Sequence, residues 1–172
     1  AAVRAFGDVA SETNAGASFF DPADSAMHTT ADAVPRVPGE YVVDVHGNRD
    51  CVILRDGAGN EYRLSAREFA EVIRTRTDWD GHSPIRLMSC DTGAGPFARE
   101  LSRELGVEVT APDRPVWAYA DGREPVVSSF DRGPGPKYEL RPRVPPDGSW
   151  IRFTPDGRVE PVLPRGNTGD AA

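Results

Sequence analysis

At 172 residues the chain has room for one substantial hydrophobic core, and two full cores would be crowded. Hydrophobic residues make up 38%, and no stretch approaches the roughly 18–20 apolar residues of a membrane span, so a soluble globular domain is expected. The net charge of -7 argues against non-specific binding to nucleic acid, which needs a basic footprint.

The two cysteines, neither in a CxxC, are poor evidence for a disulfide scaffold, and three scattered histidines make no zinc set, so no metal is expected. The start, Ala1-Ala2, lacks the basic and apolar regions of a signal peptide; without an initiating methionine, it says nothing about export.

Residues 1–40 are rich in Ala, Asp, Ser and Thr, with scattered apolar points such as Val3, Phe6, Phe19 and Phe20. They read as an amino-terminal arm or packing segment, with Pro35, Pro38 and Gly39 as the hinge before the core; a short helix plus an extended tail is the alternative. Tyr41 to Val45 is an apolar strand that runs into His46-Gly47. Cys51–Leu54 and Glu61–Leu64 flank Asp56-Gly57-Ala58-Gly59-Asn60, the pattern of a hairpin. A helix follows over Ser65–Arg74: Ser65 and Glu68 form a capping box, and Phe69, Val72 and Ile73 make the apolar stripe.

Ile85 to Met88 is the next strand, leading into Ser89-Cys90-Asp91-Thr92-Gly93. Pro96 opens a helix whose Phe97, Leu101 and Leu105 recur every four residues, and Gly106 stops it. Val107, Val109 and Ala111 mark a further strand, and Val116–Tyr119 another. Glu124–Gly148 is dense in Pro, Gly and charge and reads as a long loop. Trp150–Phe153 and Val159–Val162 flank Asp156-Gly157 as a terminal hairpin, and residues from Arg165 read as a tail. Strands alternating with helices predict an α/β domain over 41–164, with a mostly parallel central sheet flanked by helices, peripheral hairpins, and a flexible tail over 165–172.

In a parallel sheet the carboxyl ends of strands lie on one edge, which would bring His46 and Cys90 together. A thiol beside an imidazole is the minimum equipment for covalent attack on a carbonyl. The bland alternative is a buried cysteine at a strand end and a histidine satisfied in a turn. Gly93 and Gly95 leave room for backbone amides to approach an oxyanion, and the helix after Pro96 could direct its positive end at the sulfur. Asp44, two residues before His46 on the same strand face, is a candidate to orient it, and Gly47 a candidate for the oxyanion site. Asp91 is expected to face substrate, solvent or an arginine, because its charge would oppose a thiolate. Trp117 and Tyr119 are candidate substrate contacts, with a core role for Trp117 equally open. Cys51 reads as structural, and His28 and His82 have weaker contexts.

These motifs resemble the caspase-like (clan CD) cysteine peptidases, especially the self-processing cysteine protease domains of large bacterial toxins and related modules in secreted actinobacterial toxins. The resemblance covers Tyr41 to Gly122 and rests on His46-Gly47 paired with Ser89-Cys90-Asp91-Thr92-Gly93. It implies a caspase-like three-layer sandwich, a His46–Cys90 dyad, and peptide-bond cleavage of a polypeptide, including the parent chain, to release an effector. It implies secretion, or delivery to a target cell, within a larger bacterial protein, with activity in the cytoplasm also open. Some relatives are activated by inositol hexakisphosphate in a basic pocket. This chain has one lysine, Lys137, and would need arginines such as Arg63, Arg67 and Arg86 to converge. The dyad chemistry requires no cofactor. A non-catalytic binding module and a cysteine-dependent deamidase or acyltransferase are the alternatives, and the sequence sets no oligomeric state.

Overall fold

The computed structural model describes residues 1–134 and 139–162. The segment expected as an amino-terminal arm or packing segment packs into the core. Helix α1 (Ala2–Val9) buries Phe6, and β1 (Ala10–Glu12) turns back antiparallel onto β2 (Gly16–Phe19). Strand β2 in turn pairs in parallel with β3 (Tyr41–Asp44). Small residues conceal this strand from a reading that looks for β-branched runs. Gly16 is small for a steric reason, since a Cβ there would collide with the Val42 carbonyl oxygen. Between β2 and β3 lies α2 (Ser25–Ala33), where the Asp24 side chain caps the helix by accepting from the Met27 amide.

After Val45 the chain leaves the main sheet. β4 (His46–Gly47), β5 (Val52–Arg55) and β6 (Glu61–Leu64) form a separate antiparallel sheet, as the hairpin signal predicts. Helix α3 (Ala66–Arg76) begins at Ser65 with the expected capping box: the Ser65 hydroxyl accepts from the Glu68 amide, and the Glu68 carboxylate accepts from the Ser65 amide. It runs two residues past the expected end. β7 (Ile85–Met88), α4 (Phe97–Leu105) and β8 (Val109–Pro112) follow, and Gly106 ends α4 in the left-handed conformation, φ 71°.

The strand expected over 116–119 is shorter, β9 (Val116–Trp117), and pairs outside the main sheet with β10 (Val126–Val127). The stretch expected as a long loop holds β10, β11 (Phe130–Arg132) and β12 (Leu140–Pro142), the last two forming a ribbon. β13 (Trp150–Phe153) and β14 (Val159–Val162) form the terminal hairpin, and β13 adds antiparallel to β8. The tail expected over 165–172 lies outside the described residues.

The central sheet has the order β1-β2-β3-β7-β8-β13-β14, with β2, β3, β7 and β8 parallel and antiparallel partners at both edges. Alternation along the strands assigns the two faces. Ala17, Phe19, Val43, Ile85, Leu87 and Val109 point into the larger core with Phe6, Phe69, Phe97 and Leu101, so α1, α3 and α4 cover that face. Phe19 and Phe69 meet edge to face there, centroids 5.1 Å apart. Val42 and Met88 point the other way into a smaller cluster with Ala15 and Val34, on the α2 side. The result is an α/β fold of three layers, with four helices among the described residues flanking a mixed sheet. Among those residues, no helix is long and apolar enough to cross a membrane.

Candidate active site

The geometry of the site follows from strand parity. Val42 points to the α2 side, so Asp44 does as well; Met88 takes the same side on the neighbouring strand. The last link between the two chains at the sheet edge is the Val45 amide donating to the Met88 carbonyl at 3.2 Å. Beyond it, His46 turns away with β4 and Cys90 enters a tight turn before α4. Gly47 lets the two segments lie against each other, because a side chain there would strike the Ser89 hydroxyl and the Thr92 methyl. The turn is closed by the Thr92 hydroxyl donating to the Ser89 carbonyl at 2.8 Å and the Gly93 amide donating to the Pro112 carbonyl at 2.8 Å. Asp91 sits in it at φ 61°, the one non-glycine residue with positive φ among the described residues. Aspartate tolerates this region better than most side chains.

His46 and Cys90 line one cavity of about 200 Å³ on the α2 side of the sheet. Asp44, Val45 and Met88 contribute from the sheet, and Met27, Thr30 and Ala31 from α2. Phe20, Val116, Trp117 and Ala118 complete the wall. The lining is mostly apolar with a few polar groups, the composition expected of a small ligand site.

Both groups are shifted toward their uncharged forms. Burial lowers the His46 pKa below the ordinary imidazole value, helped by Arg55 and opposed by Asp24. The Phe20 ring meets the imidazole edge-on, centroids 5.0 Å apart, and among the described residues the His46 imidazole makes no hydrogen bond. Burial likewise pushes the Cys90 thiol up, with Asp91 adding to the push and the Val116 backbone opposing it. The thiol makes a long contact, 3.9 Å, to the Val116 carbonyl. The two groups therefore share a cavity as thiol and neutral imidazole, without a hydrogen bond joining them.

The other expected site residues divide. Asp44 lines the cavity at 4% exposed, has no hydrogen-bond partner at Oδ2 among the described residues, and makes no bond to His46. Burial, with Asp32 adding, holds its carboxyl well above the usual carboxylate range. Trp117 lines the cavity while its indole N–H donates to the Ser128 carbonyl at 2.9 Å. Tyr119 is not in the lining and stacks under Arg123 at 4.6 Å. Asp91 also lies outside the lining, and burial raises its pKa, with Arg114 opposing and Asp113 adding. Cys51 is away from the cavity beside Asn48, His28 contacts the Asp21 carbonyl, and His82 is an exposed partner of Asp80.

Of the arginines considered for a polyphosphate pocket, Arg86 donates to Glu40 at 2.6 Å beside the Trp150 ring, and Arg63 pairs with Glu61 at 2.9 Å. Both already hold a carboxylate. Sequence reasoning does not reach Phe20, Met27, Thr30 and Ala31, because it treats 1–40 as an arm or packing segment apart from the site. The usable signal was Asp24 before Ser25, a helix start.

No curated protein and no solved structure matches the chain. A family model matches residues 15–126, which run from the start of β2 to β10 and contain every residue lining the cavity. By that match the chain belongs to the family described as Domain of unknown function (DUF8616).

Proposed function

We propose that this domain is a caspase-like cysteine endopeptidase with His46 and Cys90 as its dyad. The observation that carries the reading is that both side chains open onto one cavity at the carboxyl ends of neighbouring parallel strands. His46, neutral at rest, takes the proton from the Cys90 Sγ as the sulfur attacks a peptide carbonyl. It returns that proton to the leaving amine, and water then resolves the acyl-enzyme. The Cys90 amide, which donates to no main-chain carbonyl among the described residues, and the backbone around Gly47 are the oxyanion donors on this reading.

The substrate is a polypeptide, including the parent chain, and the setting is a larger bacterial toxin that is secreted or delivered to a target cell. No cofactor takes part in the bond-breaking. Mass spectrometry of the purified chain and of peptide digests, wild type against Cys90→Ala, tests the reading. Cleavage that disappears in Cys90→Ala and persists in Cys51→Ala supports it, and equal cleavage in wild type and Cys90→Ala refutes it.

A second reading is favoured by one observation: the thiol is raised and has no bond to His46. A non-catalytic binding module would keep such a cysteine as a cavity wall. Cys90 alkylation that is indifferent to His46→Ala, together with no cleavage of any peptide, selects that reading.

A further inference from the structure

The dyad leaves one buried group of the cavity without a task. Asp44 is 4% exposed, faces the cavity and has no partner for Oδ2 among the described residues. Buried polar atoms are nearly always hydrogen-bonded, so a missing partner at a cavity points to one that arrives with a ligand. The neighbouring charges indicate its sign. From α2, Asp32 acts on Asp44, and Asp24, at the cap of the same helix, acts on His46. The cation that acts on His46 is Arg55 of β5, whose Nε is held by Glu61 at 3.1 Å. Charge on the α2 side is thus acidic. Phe20, Met88 and Trp117 offer an apolar channel for an aliphatic stem and aromatic rings for a planar cation.

We propose that Asp44 is the specificity-determining residue of this cavity and receives the guanidinium or ammonium head of a basic substrate side chain beside the scissile bond. The term substrate rests on the peptidase reading; the capture of a cation by Asp44 does not. On entry of the head group the Asp44 O–H gives its proton to solvent, and the resulting carboxylate accepts hydrogen bonds from the N–H donors. The like-charge effect of Asp32 is then offset by the bound cation. An acidic side chain would instead be repelled by Asp44 and by the nearby charge of Asp32, and an aliphatic one would leave Oδ2 without a partner. Because binding releases a proton, affinity for the cation rises with pH until the free Asp44 ionises. His46 and Cys90 are the other titratable groups of the cavity lining, and Asp32 of α2 acts on Asp44 from an exposed position.

The probe is agmatine, a guanidinium on a four-carbon stem, scored by peptide-resolved iodoacetamide labelling of Cys90 and Cys51. Agmatine is expected to slow labelling of Cys90 about tenfold at saturation, more effectively at pH 7.5 than at pH 5.5, and to leave Cys51 unaffected. Pentanol and glutarate are expected to protect neither. In Asp44→Asn, a near-isosteric change whose folding is checked by its melting transition, agmatine protection is lost. Equal protection in wild type and Asp44→Asn, or none in wild type, overturns the proposal.

Quenched peptides with Arg, Lys, Gln, Leu or Asp before the scissile bond separate the two claims. Preference of about tenfold for Arg or Lys, lost in Asp44→Asn, supports both. Cleavage that favours Leu or Asp equally with Arg overturns the role of Asp44 and leaves the peptidase standing. Agmatine protection without cleavage of any peptide overturns the peptidase and leaves Asp44 as a cation site.

Discussion

Replacing Asp44 with asparagine should change the way the protein's stability depends on pH, with a sign that follows from burial. In the unfolded chain this carboxyl ionises near its ordinary value of about 4. In the folded chain burial and Asp32 keep it protonated well above that value. Below about pH 4 both states hold the proton, and the group contributes no pH dependence. Above it the unfolded state loses the proton first, so folding stability falls as pH rises, until the folded carboxyl also ionises.

Within that window the slope from this one group is about 1.4 kcal/mol per pH unit. Asparagine carries no such proton and abolishes the slope. Urea denaturation of wild type and Asp44→Asn at intervals from pH 4 to pH 7 measures it. The stability of the variant relative to wild type should climb with a slope that approaches about 1.4 kcal/mol per unit from roughly a unit above pH 4, then level off at the folded pKa. Taking the difference removes contributions from groups that titrate alike in both proteins. Parallel stability curves for the two proteins would refute the reasoning, because they would mean that Asp44 ionises when folded as it does when unfolded.

Ser65→Ala removes the hydroxyl half of the capping box and should lower stability by about 1 kcal/mol in chemical denaturation. Gly47→Ala drives a methyl group into the Ser89 hydroxyl and the Thr92 methyl; a loss of about 1–3 kcal/mol is expected, with a fall in any Cys90-dependent cleavage as His46 is displaced. Because burial raises the Cys90 thiol, its labelling by iodoacetamide at pH 7 should be slower than that of a free cysteine in a peptide. It should still be rising at pH values where the free thiol has levelled off, and a coincident pH profile would contradict this.

The core of the architecture is readable where apolar runs are long enough to declare themselves. β3, the β5–β6 hairpin, α3, β7 and α4 follow from alternation, a capping box and a terminal glycine. That His46 and Cys90 line one cavity follows from the parallel rule, since both come just after strands of the same sheet. What sequence reasoning lost is the amino-terminal third of the cavity. Gly16-Ala17-Ser18 is a buried strand of small residues; at Gly16 the neighbouring Val42 backbone leaves no room for a side chain, and that restriction is a property of Val42, not of the segment itself. Helix α2 buries only Ala31, so it presents almost no apolar stripe. The absence of a hydrogen bond between Asp44 and His46 was equally out of reach: being two positions apart fixes a shared side, while the bend at Val45 decides where each group then points.

That bend has a consequence for how the family can vary. Which layer a side chain enters depends on odd or even position along β3, so substitutions there alter chemistry without moving neighbours, whereas deleting one residue between Val42 and His46 exchanges the whole set. The carboxyl of Asp44 would then be thrust among phenylalanines and a valine would face the cleft. Length through this stretch should therefore be held fixed even where residue identity drifts.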